Sequence, residues 1–396
     1  MSVRAREREV LQLSLTPDGR LAHPAAVEAL EEQLPRATDC FVFCHGWLYE
    51  QTEAREEAAR FFALLDTALR PLGDRVVSLR LAIHWPWKPF AEPTIGRQSA
   101  GDQVPPGLTG ALGDLARTDP GLLGRLLAAL VEAEVPLGPE EELELDALVR
   151  QVRDGGRRGS SMLSPLHALS FWLMKRRAGQ VGERLGREVL APLLTMRGDR
   201  APRLHLIGHS FGAKLVASTV LGGLRPESLV LLLAAFSAFA FADEVPGTKG
   251  AGFYRRVVTD QLVAGPIVVL RSDHDRALGT LYPAVTWGDQ VNRGTAPGRF
   301  GHAREVVARS ALGAAGARGL AAPEFDLIDV QRTGVPASGV VNINGSRVVT
   351  REDWLIGAHR DIYHDEIATL VCLAAGLLKG GPTGARPRPL SPFGRP

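Results

Sequence analysis

Short apolar runs alternate with longer amphipathic stretches along most of this chain. Residues 39–44 (Asp-Cys-Phe-Val-Phe-Cys) are apolar after the first position and end abruptly at His45-Gly46. A strand buried on both faces looks like this where it empties into a loop at its carboxyl end. Runs of the same character occupy residues 76–85, 204–208, 229–235, 266–270 and 340–349; Pro86 stops the first and Asn344-Gly345 breaks the last. Between them, residues 53–69, 166–194, 212–221 and 362–378 carry apolar positions at helical spacing. Strands alternating with helices predict βαβ units, hence an α/β fold with a mostly parallel central sheet and helices on both faces.

Two regions break the alternation. Residues 91–165 are rich in Gly, Pro, Leu and acids, with helical stretches near 120–133 and 139–153. This reads as a helical insertion between the core segments 1–90 and 166–379. It is either a cap or lid over the carboxyl edge of the sheet, where ligands bind in open α/β sheets, or a peripheral decoration. The tail, residues 380–396, is rich in Pro, Gly and Arg and is expected to be disordered.

Composition narrows the partners. With 396 residues and 45% hydrophobic positions, the chain can bury one large core. Its net charge is only +2 and no Lys/Arg run stands out, so no nucleic-acid partner is expected. Cys40, Cys44 and Cys372 lie in apolar runs without C-x-x-C spacing. They suit free buried thiols in a reducing compartment rather than disulfides or a zinc site. Residues 1–10 are charged and lead into no apolar leader, and the longest apolar run, 229–242, is too short to span a bilayer. A cytoplasmic protein with no stable membrane insertion is expected. No phosphate-binding or dinucleotide fingerprint is present, and no cofactor is called for.

The chemistry centres on Gly208-His209-Ser210-Phe211-Gly212, preceded by the apolar Leu204-His205-Leu206-Ile207 and followed by the helical Ala213-Lys214-Leu215-Val216. Strand, sharp turn and helix are the context a G-x-S-x-G nucleophile elbow needs, because the turn lifts the serine oxygen above the sheet. Glycines at 208 and 212 let strand and helix pack close to that turn. The helix amino terminus places a positive dipole end beside it. Ser210 is therefore the candidate nucleophile, and His209, pointing elsewhere from the neighbouring position, reads as a packing or supporting residue.

On these residues the chain resembles the α/β-hydrolase superfamily over roughly residues 39–378. Within it, the chain is similar to bacterial esterase- and lipase-like members. The shared pieces are His45-Gly46-Trp47, Trp85-Pro86, the elbow, and Gly357-Ala358-His359-Arg360-Asp361-Ile362. The resemblance implies an oxyanion hole made by the backbone N–H groups of Phe211 and Trp47, with Leu48 as the alternative to Trp47.

The remaining partners follow in the order serine, acid, histidine. Residues 266–270 lead into Arg271-Ser272-Asp273-His274-Asp275. Asp275 matches the superfamily's G-x-x-D spacing, with Ser272 standing where Gly is usual; Asp273 is the alternative acid and Asp243 a further one. His359 and His364 both follow the last strand candidate. His364 directly precedes Asp365-Glu366 and looks like a helix N-terminal position, so His359 is the favoured base and His364 the alternative. Asp273, His274, Asp275, His359 and His364 could in principle gather as a metal site, but an elbow would then have no purpose, and no metal is expected. Trp47, Trp85, Trp87 and Phe90 either pack the core or line an apolar acyl pocket.

The reading that results is a serine hydrolase acting on small-molecule or lipid-like esters through Ser210, His359 and Asp275. Acyl transfer, thioester or amide hydrolysis on the same residues is the alternative, as is a catalytically silent binding protein of this fold.

Overall fold

A computed structural model describes residues 9–16, 18–47, 51–86, 139, 165–196, 198–283, 310–351, 353–354 and 356–379. The expected insertion at 91–165, apart from Pro139 and Pro165, and the expected disordered tail at 380–396 lie outside the described residues. Among the described residues, eight strands form one sheet: β1 (Val10–Ser14), β2 (Asp39–Cys44), β3 (Ser78–His84), β4 (Arg203–His209), β5 (Ser228–Leu232), β6 (Pro266–Arg271), β7 (Glu324–Asp326) and β8 (Gly339–Asn344). Their order is β1-β3-β2-β4-β5-β6-β8-β7 and every neighbouring pair is parallel.

The main helices are α1 (Ala25–Gln33), α2 (Gln51–Leu69), α3 (Pro165–Leu185), α4 (Phe211–Leu221), α5 (Leu327–Thr333) and α6 (Asp365–Ala374). From β2 the chain crosses through α2 to β3 on one side, and from β4 through α4 to β5 on the other. Right-handed crossovers running in opposite directions put those helices on opposite faces. Accordingly α4 packs with α3, while α2 packs with α6, which also meets α5. The strand order reverses between β2 and β4, which opens a crevice at their carboxyl ends.

The central elements are the most apolar, as this arrangement requires. All six residues of β2 are buried, as are ten of the eleven in α4. In α2 the buried residues are Ala54, Ala58, Phe61, Phe62, Leu65 and Leu69, one stripe at a period near 3.6. Each fully buried Leu or Phe of this kind contributes about 1.5–3 kcal/mol. No helix among the described residues is long and apolar enough to cross a membrane.

Several boundaries differ from the sequence pattern. β1 and α1 were not anticipated; β1 is an edge strand in which only Leu11 and Leu13 are buried. The helix expected at 362–378 spans only Asp365–Ala374: His364 is extended at its N-cap, and Ala375 to Leu378 form a turn beyond its end. The helix expected at 166–194 passes through a π-type turn at Gly186–Leu190.

At the amino edge of the sheet, far from the crevice in strand direction, a buried polar chain links three strands. Asp39 of β2 accepts from His205 Nε2 of β4 at 3.1 Å, and His205 Nδ1 meets the Ser228 hydroxyl of β5 at 3.0 Å. Arg203 and Thr38 also bond Asp39, at 2.7 and 2.6 Å. Burial alone would raise the Asp39 carboxyl; the hydrogen bonds from His205 and Thr38 and the charge of Arg203 outweigh it and hold it below the usual carboxylate range. Asp39, His205 and Ser228 are each 0% exposed.

Candidate active site

β4 runs into the crevice and turns sharply at Ser210, which takes φ 57° and ψ −120°. A non-glycine residue rarely adopts a positive φ, and the surrounding bonds hold it there. Ser210 N–H donates to Leu232 O at 3.0 Å, and its carbonyl accepts from Ala235 and Ala213 N–H, each at 3.2 Å. The turn also needs empty space. A Cβ at residue 212 would collide with the carbonyl oxygens of Cys44 and His45, and one at 208 with Ala213 and the Gly212 carbonyl. The two glycines thus admit the end of β2 as well as the start of α4.

Ser210, His359 and Asp275 meet in one hydrogen-bonded chain. His359 Nε2 lies 2.9 Å from Ser210 Oγ, and His359 Nδ1 lies 2.7 Å from Asp275 Oδ2. A carboxylate only accepts, so Nδ1 carries the ring proton and Nε2 is left to accept the serine hydroxyl. Asp275 is buried, and its other oxygen accepts from Leu278 N–H at 2.9 Å.

The loops carrying Asp275 and His359 are fastened to one another. Ala358 N–H donates to His274 O at 2.9 Å, and Ala277 N–H to Ile356 O at 3.1 Å. Gly357 makes this possible with φ 62°, where a Cβ would strike the His274 carbonyl. Asp361 braces the base loop from beyond: one oxygen accepts from the Thr350 and Arg351 N–H groups at 2.9 Å each, the other from His364 Nε2 at 2.8 Å. The Gly-x-His-x-Asp pattern therefore describes a turn, a ring donor and a brace.

The other candidates are occupied elsewhere. Asp273 is exposed and bonded to Arg271 at 2.7 Å; Arg271 also grips Glu324 of β7 through two bonds of 2.7 and 2.9 Å. Asp243 pairs with Arg255. His364 stands at the N-cap of α6, yet its side chain makes no cap bond and turns back to Asp361. The five residues considered for a metal therefore do not converge. Ser272 is buried, with its hydroxyl donating to Val349 O at 2.9 Å.

On the far side of Ser210 lies the strap His45-Gly46-Trp47. A Cβ on Gly46 would sit 2.9 Å from Ser210 Cβ, so the strap passes directly beside the serine. Phe211 is the first residue of α4, where backbone N–H groups have no partner within the helix. Trp85 fixes the strap: its indole N–H donates to His45 O at 3.2 Å, with the two rings stacked at 6.3 Å. A bond of this kind contributes about 1 kcal/mol net. Trp47 packs on Phe171 and Phe211 at ring distances of 5.7 and 5.9 Å. Phe171, from α3, also meets Phe211 at 4.8 Å and Tyr282 at 5.6 Å. Phe171 was not anticipated, since nothing in its helical stretch marks it as facing Ser210's neighbour. Leu48, Trp87 and Phe90 lie outside the described residues.

Two buried histidines underlie the strap. His45 donates from Nδ1 to Gly46 O at 2.7 Å, and His84, 5.6 Å away ring to ring, bonds the Gln12 side chain. Burial pushes His45 down to about 4; burial, then the charges of His45 and Arg55, push His84 down to about 3. Unfolded histidine titrates near 6.5, so between there and pH 4 the unfolded chain binds more protons and stability falls as pH falls. The His45 shift alone corresponds to about 3 kcal/mol. The melting temperature should therefore drop progressively from pH 7 to pH 4; a level profile down to pH 4.5 would contradict the neutral buried pair.

Comparisons with protein-family models, with curated proteins and with solved structures return no match to this chain.

Proposed function

We propose that the chain is a serine hydrolase of the α/β-hydrolase type that cleaves carboxylic esters through a covalent acyl-enzyme. The observation carrying this reading is the Ser210–His359–Asp275 hydrogen-bonded chain, with Ser210 held at positive φ between a strand and a helix. A serine hydroxyl needs a base within reach and a base needs an orienting group; this arrangement supplies both.

Ser210 Oγ attacks the ester carbonyl carbon while His359 Nε2 takes its proton. Asp275 stabilises the imidazolium that forms. The carbonyl oxygen becomes an oxyanion facing the backbone N–H groups of Phe211 and Trp47, and each such donor is worth about 3 kcal/mol in the transition state. His359 then returns the proton to the leaving alkoxide, which departs as alcohol and leaves Ser210 acylated. A water molecule repeats the attack on the acyl carbon while His359 takes its proton; the bond from that carbon to Ser210 Oγ then breaks, His359 returns the proton to Oγ, and the carboxylic acid is released. The aromatic surface of Trp47, Phe171 and Phe211 beside the oxyanion strap favours an apolar acyl group, hence a hydrophobic or lipid-like ester. The buried, unpaired cysteines favour a reducing, cytoplasmic setting.

Exposure to an alkyl fluorophosphonate, with the adduct located by peptide mass spectrometry, tests the reading. One covalent adduct is expected, on Ser210, together with hydrolysis of p-nitrophenyl esters. Absence of any adduct on the folded protein would sink the proposal.

A further inference from the structure

The base loop is held to the acid loop by backbone bonds, but those bonds do not set its distance from Ser210. His209 does span that gap. It precedes Ser210 in β4, is 2% exposed, and its Nε2 lies 2.7 Å from the backbone carbonyl of His359. The two rings lie 5.1 Å apart. On its other side, the His209 ring abuts the oxyanion strap: a Cβ on Gly46 would come within 3.2 Å of His209 Nδ1. One imidazole is thus packed between the strap, the elbow and the base loop.

We infer that His209 is a positioning residue for the proposed hydrolysis: its Nε2–H, donated to the His359 carbonyl, sets the reach of the His359 ring to Ser210. This rests on the serine-hydrolase reading. A carbonyl only accepts, so Nε2 must carry the proton. Burial first, and then the neighbouring His359, hold the His209 ring well below the usual histidine range, so it stays neutral and keeps this single tautomer. The division of labour is specific. Asp275 and the backbone bonds at 274–358 and 277–356 hold the acid leg. His209 holds the serine leg, because it is covalently next to the nucleophile. Displacing a reacting group by about 1 Å can cost 100-fold in rate.

The test compares wild type, His209→Gln and His209→Phe in three measurements. These are the alkyl fluorophosphonate labelling rate, kcat and KM for p-nitrophenyl acetate, and the low-field proton NMR signal of His359 Nδ1–H on Asp275. For His209→Phe, labelling and kcat should fall about 10- to 100-fold with KM within about threefold of wild type, while the low-field signal persists. His209→Gln, which can return an N–H to the His359 carbonyl, should recover to within about fivefold of wild type. Wild-type labelling by His209→Phe would overturn the inference and leave the hydrolase reading standing. Equal losses in both variants, tracking a lowered melting temperature and loss of the low-field signal, would reduce His209 to a packing residue and also overturn it. An unlabelled wild type would overturn the hydrolase reading and this inference with it.

Discussion

His359→Ala should slow ester hydrolysis and fluorophosphonate labelling by about four to six orders of magnitude, while His364→Ala stays within about tenfold of wild type. The contrast is the informative part, because both histidines follow β8 and lie only five positions apart. His359 touches Ser210 and Asp275 through its two ring nitrogens. His364 touches Asp361, whose other oxygen is already held by two backbone N–H groups. Removing His364 therefore takes one of three bonds from the brace, whereas removing His359 leaves the Ser210 hydroxyl with no base. Stopped-flow hydrolysis of a p-nitrophenyl ester would measure both variants. A crippled His364→Ala beside a near-normal His359→Ala would reverse the assignment.

Asp275→Asn should lower kcat by about four orders of magnitude, with little change in fold. An amide can keep the Leu278 bond and the shape of the loop. What changes is the proton: an amide N–H facing His359 Nδ1 drives the ring to its other tautomer, with Nε2–H directed at Ser210 Oγ. A base already protonated toward the nucleophile cannot take its proton. Asp273→Asn, two residues away, should leave kcat within about threefold, since Asp273 serves only the exposed side of Arg271. Comparable losses in both variants would mean that the loop acts by its overall charge and not through the His359 bond.

Much of this was legible in the chain itself. The central strands emerged to within a few residues, because a strand buried on both faces must be a continuous apolar run, as in Asp39–Cys44. Ser210, His359 and Asp275 could be nominated from an elbow pattern and chain order, and they are the residues that come together. Where two candidates lay close, the deciding contact was distant: Arg271 is anchored by Glu324, and so Asp273 is drawn off. β7, the strand that supplies Glu324, has only three residues, two of them acidic, and so carries no apolar pattern. β1 was missed for a related reason, since an edge strand needs only two inward residues. Phe171 and the His209 bond to His359 join segments remote in the chain, and no local pattern encodes such a meeting.

The buried Ser228–His205–Asp39 chain gives this molecule an internal reference. It repeats the residue types and bond order of the candidate site, serine to histidine to carboxylate, at 3.0 and 3.1 Å. Yet it sits among strands paired on both sides, its serine lies within a strand and not on a positive-φ turn, and all three residues are fully buried. One polypeptide thus contains both an addressed and an unaddressed copy of the same trio. A covalent probe that modifies Ser210 and spares Ser228 would read out, within a single sample, how much of serine reactivity comes from location and how much from the company the serine keeps.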